Sequence, residues 1–85
     1  PAGADLLREL CWSTLRHIDG IDGLATRAAT GIEVRCPVAL REGGLVTDDG
    51  IAIRLSGRGW SVADAVAERI WKHSVASIPA LAGSY

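Results

Sequence analysis

The 85-residue sequence has no methionine, only two cysteines, three prolines and no long apolar run, and each shortage closes off a class of protein. A spanning helix needs about 20 apolar residues. The longest uncharged stretch, Ser74 to Tyr85, is broken by Pro79 and Gly83, so no membrane insertion is expected. The amino terminus lacks the basic start and apolar core of a signal peptide, because Asp5, Arg8 and Glu9 interrupt the only candidate. A cytoplasmic location is the resulting expectation. Pro1 fits removal of an initiator methionine before a small residue, or an artificial boundary. Charge of one sign is lacking too: nine basic residues meet ten acidic ones, giving a net charge of -1, which supplies no draw toward nucleic acid or anionic lipid.

Two cysteines cannot make a disulfide framework. Cys11 falls on a helix pattern and Cys36 on a strand pattern, both on the apolar side, where buried reduced thiols are expected. A zinc site would have to add His17 and His73. Close-spaced ligand pairs are missing, and Cys11 and His17 face about 120° apart on a helix. Neither metal nor cofactor is expected.

What is present is ordinary for a globular chain, with 48% hydrophobic and 22% charged residues in one small domain spanning 1–85. The first 4–17 residues read as a helix, with Leu7, Leu10, Cys11, Thr14, Leu15 and Ile18 at spacings of three and four. Asp5 suits its amino end and His17 its carboxyl end. Ile18-Asp19-Gly20 and Ile21-Asp22-Gly23 repeat a triplet, predicting a turn with Ile21 plugging the core. From Ile32 the period becomes two: Ile32, Val34, Cys36, Val38 and Leu40 alternate with Glu33, Arg35, Pro37, Ala39 and Arg41. That pattern predicts a half-buried strand, at an edge or bulged because Pro37 has no amide hydrogen.

Glu42-Gly43-Gly44 and Asp48-Asp49-Gly50 read as turns, with a short paired segment at Leu45 to Thr47 between them. Ile51, Ile53 and Leu55 mark the second clear strand, and 56–59 a loop. Ser61 and Asp64 have capping-box spacing before a helix at 62–77, whose buried stripe is Val62, Val66, Ile70, His73 and Ser77 with Ala63 and Ala67. Glu68 and Lys72 form an i,i+4 pair on the opposite face. Pro79 ends the helix, and 79–85 is a short frayed tail. The expected fold is α+β: helix, strand, strand, helix, with two helices on one face of a small antiparallel sheet. Its core comprises Leu7, Leu10, Leu15 and Ile18, then Ile32, Val34 and Val38, then Ile51, Ile53 and Leu55, and last Val62, Val66 and Ile70.

Enzymatic signatures are thin. No Cys, Ser or His lies in a local nucleophile–base pattern, and Pro1 leads into a helix rather than opening a buried strand. Nucleic-acid binding is the alternative reading. Gly20-Ile21-Asp22-Gly23 matches the bare GxxG of KH domains, but Asp22 would repel a phosphate backbone. Arg54, Arg58 and Trp60 place an aromatic beside two arginines, a set that could stack a base and meet phosphate. The remaining oddity is Trp12, about 140° from Leu7 and flanked at four residues by Arg8 and Arg16 on the polar side. Trp12 is either a surface residue covered by the two arginine stems through cation–π contact, or the centre of a protein interface, where Trp and Arg are over-represented. Trp12, Arg8 and Arg16 are therefore the candidate contacts of a non-enzymatic interaction module, self-associating or a subunit of an assembly, with the exposed hairpin edge as a second surface. Trp71, on the edge of the last stripe, reads as core.

The succession also resembles the alkaline shock protein family of small bacterial envelope-stress proteins. The features that carry it are the leading helix into Gly20-Ile21-Asp22-Gly23-Leu24, then Gly31-Ile32-Glu33-Val34, then Asp49-Gly50-Ile51-Ala52-Ile53-Arg54-Leu55. They continue with Ser61-Val62-Ala63-Asp64-Ala65-Val66-Ala67-Glu68-Arg69-Ile70, so that residues 6–78 are covered. The family closes with a further strand after its last helix, and Pro79 to Tyr85 is short for one. The resemblance implies a non-enzymatic, self-associating cytoplasmic protein, in some members tethered near the membrane through a partner. It carries no functional residue onto this chain.

Overall fold

The computed structural model describes residues 2–78; the stop at Pro79 and the tail at 79–85 lie outside them. The elements are α1 (Ala2–Thr14), β1 (Ile21–Asp22), α2 (Gly23–Thr30), α3 (Val38–Glu42), β2 (Val46–Asp48), β3 (Ala52–Leu55), a 3-10 helix (Gly57–Val62) and α4 (Ala63–Ala76). The class is α+β as expected, with an antiparallel three-stranded sheet in the order β1-β3-β2. Two short helices, α2 and α3, and the strand β1 are additions to the expected order.

Along α1 and the first residue past it the stripe is realised by Leu7, Cys11 and Leu15, all fully buried, whereas Leu10, expected in the core, is only half-buried. Ile18 corrects the expected core: it is 85% exposed. The helix ends at Thr14, and the His17 N–H bonds back to Thr14 O at 3.0 Å in a tighter turn, which takes Ile18 off the helical stripe. Gly20 then runs at φ +70, where a Cβ would collide with Ile53 O, so glycine is what lets β1 lie against β3. Ile21 fills the core, but as a strand residue paired with Ile53 rather than as part of a turn. Asp22 caps α2 by accepting the Ala25 N–H at 3.0 Å, and Gly31 at φ +75 closes it.

The predicted strand from Ile32 is the main correction. Among the described residues, 32–37 pair with no strand, and 38–42 are helical. Ile32, Val34 and Cys36 still pack on the core while Glu33 and Arg35 face solvent, so the alternation reported burial correctly. What meets the backbone is α4. The buried Ser74 Oγ accepts the Arg35 N–H at 2.8 Å and donates to Ile70 O at 2.8 Å. Pro37 turns the chain into α3, leaving Val38 exposed and burying Leu40.

The hairpin follows expectation more closely. Asp49 Oδ1 accepts the N–H groups of Ile51 and Ala52 at 2.9 and 2.8 Å, which folds the turn and holds the Asp49 carboxyl below its usual range, with Arg54 adding to the effect. Ile53 and Leu55 point inward beside Ile21 and Val46. Ile51 does not: it lies before the paired residues, within the turn, and is 70% exposed.

At the start of α4 the capping box is absent. Ser61 Oγ donates to Arg58 O, and Val62 occupies the cap position with no side-chain cap. The intervening 3-10 turn shifts the cap and the helix start by one residue and leaves Val62 exposed. The buried face is Ala63, Val66, Ala67, Ile70 and Ser74, with His73 in solvent. Glu68 turns to Arg8 of α1 instead of Lys72. The core thus gathers α1, α4, Leu40 and the inner face of the sheet into one apolar cluster.

Candidate protein interface

Trp12 stands on the outer side of α1, 37% exposed. Its ring carries the Arg16 guanidinium, whose Cζ lies 5.2 Å from the ring centroid. Arg16 is also ion-paired with Asp64 of α4. Arg8, Glu9, Trp12, Ser13 and Arg16 line a shallow hollow of about 730 Å³. The shape follows from helical geometry: residues 8, 12 and 16 recur every four positions, so two long stems rise on either side of one indole.

Arg8 corrects the expected pairing. Its guanidinium covers Trp71 rather than Trp12, at 5.2 Å from the ring centroid. Its Nη2 and Nε reach the two oxygens of Glu68 at 3.2 and 3.3 Å, a two-pronged bond. Trp71, expected in the core, is half-buried against it, and its Nε1 donates to Ala4 O at 2.8 Å. The sequence reading missed Asp64 and Glu68 as members of this face. Helix periodicity places them on the exposed side of α4, but nothing local indicates that α1 lies alongside.

The alternative set is dispersed. Arg54 Nη1 pairs with Asp49 Oδ2 at 3.3 Å, and Arg58 Nη2 donates to Gly43 O at 3.1 Å. The hollow beside Arg58 is lined by Gly43, Leu45, Ser61 and Val62 and takes in neither Arg54 nor Trp60. Trp60 is exposed on the 3-10 helix rather than packed against the last helix. The GxxG segment is a strand residue followed by a helix cap, with the Asp22 carboxylate already occupied.

Burial pushes the Cys11 thiol up to about 12, and Cys36, half-buried with Asp48 nearby, up to about 11. Both are neutral near pH 7, a weak state for a nucleophile or metal ligand. Among the described residues, no group of three or more His, Cys, Asp or Glu side chains could hold a metal ion, and no helix is long and apolar enough to cross a membrane. No family model matches the sequence, nor does any curated protein or solved structure.

Proposed function

We propose that this chain is a non-enzymatic protein-interaction module, self-associating or a subunit of an assembly, that docks through the outer side of α1. The observation that carries the reading is Trp12: a large aromatic held in the open, braced by an arginine that is itself anchored to a second helix. A rigid aromatic beside neutralised arginines has the composition of an interface centre. The surrounding charges are of both signs, which suits a protein surface better than a phosphate backbone. The resemblance to the alkaline shock protein family supports the same reading and adds a setting, the bacterial cytoplasm under envelope stress, near the membrane through a partner.

Light scattering over a concentration series tests it. Wild type should gain mass with concentration, and Trp12→Ala should weaken association by about thirtyfold, the equivalent of about 2 kcal/mol at a central interface tryptophan. A strict monomer up to about millimolar concentration, with no protein partner bound through Trp12, would leave the proposal without support.

A further inference from the structure

We infer that the occupant of the α1 face is a second copy of this chain, laid antiparallel across a twofold axis that passes between Leu10 and Cys11. The inference rests on the reading of α1 as an interface and names its partner. Asp5, Glu9 and Trp12 of α1 and Arg16 just past its end are all exposed and follow one another at spacings of four, three and four. The Leu15 N–H bond to Cys11 O at 3.2 Å carries the helical turn past Thr14, which keeps them along one stripe. The stripe is divided by charge. Its first half carries the carboxylates of Asp5 and Glu9, and its second half the indole and the guanidinium.

A parallel copy would align acid with acid and base with base. An antiparallel copy reverses the order, so that Asp5 meets Arg16 of the second copy and Glu9 meets Trp12 of the second copy. Twofold symmetry repeats each contact. The arginine fork has donors enough to keep Asp64 while also donating to the Asp5 carboxylate of the second copy.

A second observation points the same way. Among the described residues, Trp71 Nε1 has an acceptor at 2.8 Å in Ala4 O, whereas Trp12 Nε1 has no protein acceptor. A tryptophan covered by a partner needs one. The antiparallel register supplies it as the Glu9 carboxylate of the second copy.

Charge reversal followed by mixing tests the arrangement. Asp5→Arg/Glu9→Arg and Arg16→Glu are made as two separate proteins, with far-ultraviolet circular dichroism to confirm that both fold. Sedimentation equilibrium should show each one alone weakened tenfold or more relative to wild type, because like charges then face each other. An equimolar mixture should recover a heterodimer, since both opposite-charge contacts return. A wild-type dimer that Trp12→Ala dissociates, but whose reversed variants do not pair on mixing, would overturn the antiparallel copy and leave α1 standing as an interface. Association indifferent to Trp12→Ala would overturn both. A monomeric wild type that binds a different protein through Trp12 would overturn the second copy alone.

Discussion

Trp71 and Trp12 are built from the same three parts and end in opposite states. Each indole lies under an arginine at 5.2 Å, and each arginine reaches a carboxylate of α4. Around Trp71 the assembly is closed: the ring packs against the core, its N–H is bonded to Ala4 O, and Arg8 is held by both oxygens of Glu68. Around Trp12 it is open, with the ring outside the apolar cluster and its N–H directed to no acceptor among the described residues. The closed site holds α1 on α4. The open site lacks those closing contacts, and under the proposed function a partner supplies them.

Substitutions should separate the two sites. Trp71→Ala is expected to cost about 3 kcal/mol in denaturant melts, through lost packing and the lost indole hydrogen bond to Ala4 O. Trp12→Ala measured in dilute protein should cost less than about 0.5 kcal/mol, since it vacates no core volume. Equal losses would erase the distinction. Ser74→Ala comes next, at about 1 to 2 kcal/mol, because the Arg35 N–H loses its only acceptor among the described residues. Proteolysis within 32–37 should accelerate in that variant, and an unchanged digestion rate would mean that the segment is held by apolar contacts alone.

Smaller effects follow at the charges. Glu68→Gln should cost about 0.5 kcal/mol and leave Trp71 in place, an effect readable as a slight shift in its fluorescence. The pH response has a definite sign. The Cys11 thiol is raised to about 12 in the fold, so its contribution is complete below the ordinary thiol value and is lost as pH climbs from about 9 toward 12. Melts above pH 9 should therefore show falling stability that Cys11→Ala makes shallower, with the raised Cys36 thiol supplying part of what remains. The lowered Asp49 carboxyl acts in the other direction, its contribution present above the ordinary carboxylate value and lost as pH falls below it.

Much of this architecture could be read along the chain, and the failures are instructive because they share a cause. The stripe of α1, the Asp48-Asp49-Gly50 turn and the inward residues Ile53 and Leu55 all depend on contacts within a few residues. So does the exposure of Trp12. The segment from Ile32 has the alternation of a strand, and its even positions are indeed inward, but alternation reports which side is buried and not what bonds the backbone. Its partner is a serine 39 positions away. Ile51 and Val62 carry the right residue type for the core but fall in turns that rotate them outward. Arg8 and Arg16 were legible as neighbours of Trp12, whereas their assignment to separate tryptophans required knowing that α4 lies alongside.

The most direct test follows the three indole N–H resonances of nitrogen-15-labelled protein from micromolar to millimolar concentration. The Trp12 signal should move and its hydrogen exchange should slow as the second copy covers it, while the Trp71 signal stays in place because its acceptor lies within the chain. A Trp12 resonance that remains fixed across the series, or one that remains fixed while Trp71 or Trp60 moves, would contradict an interface centred on α1.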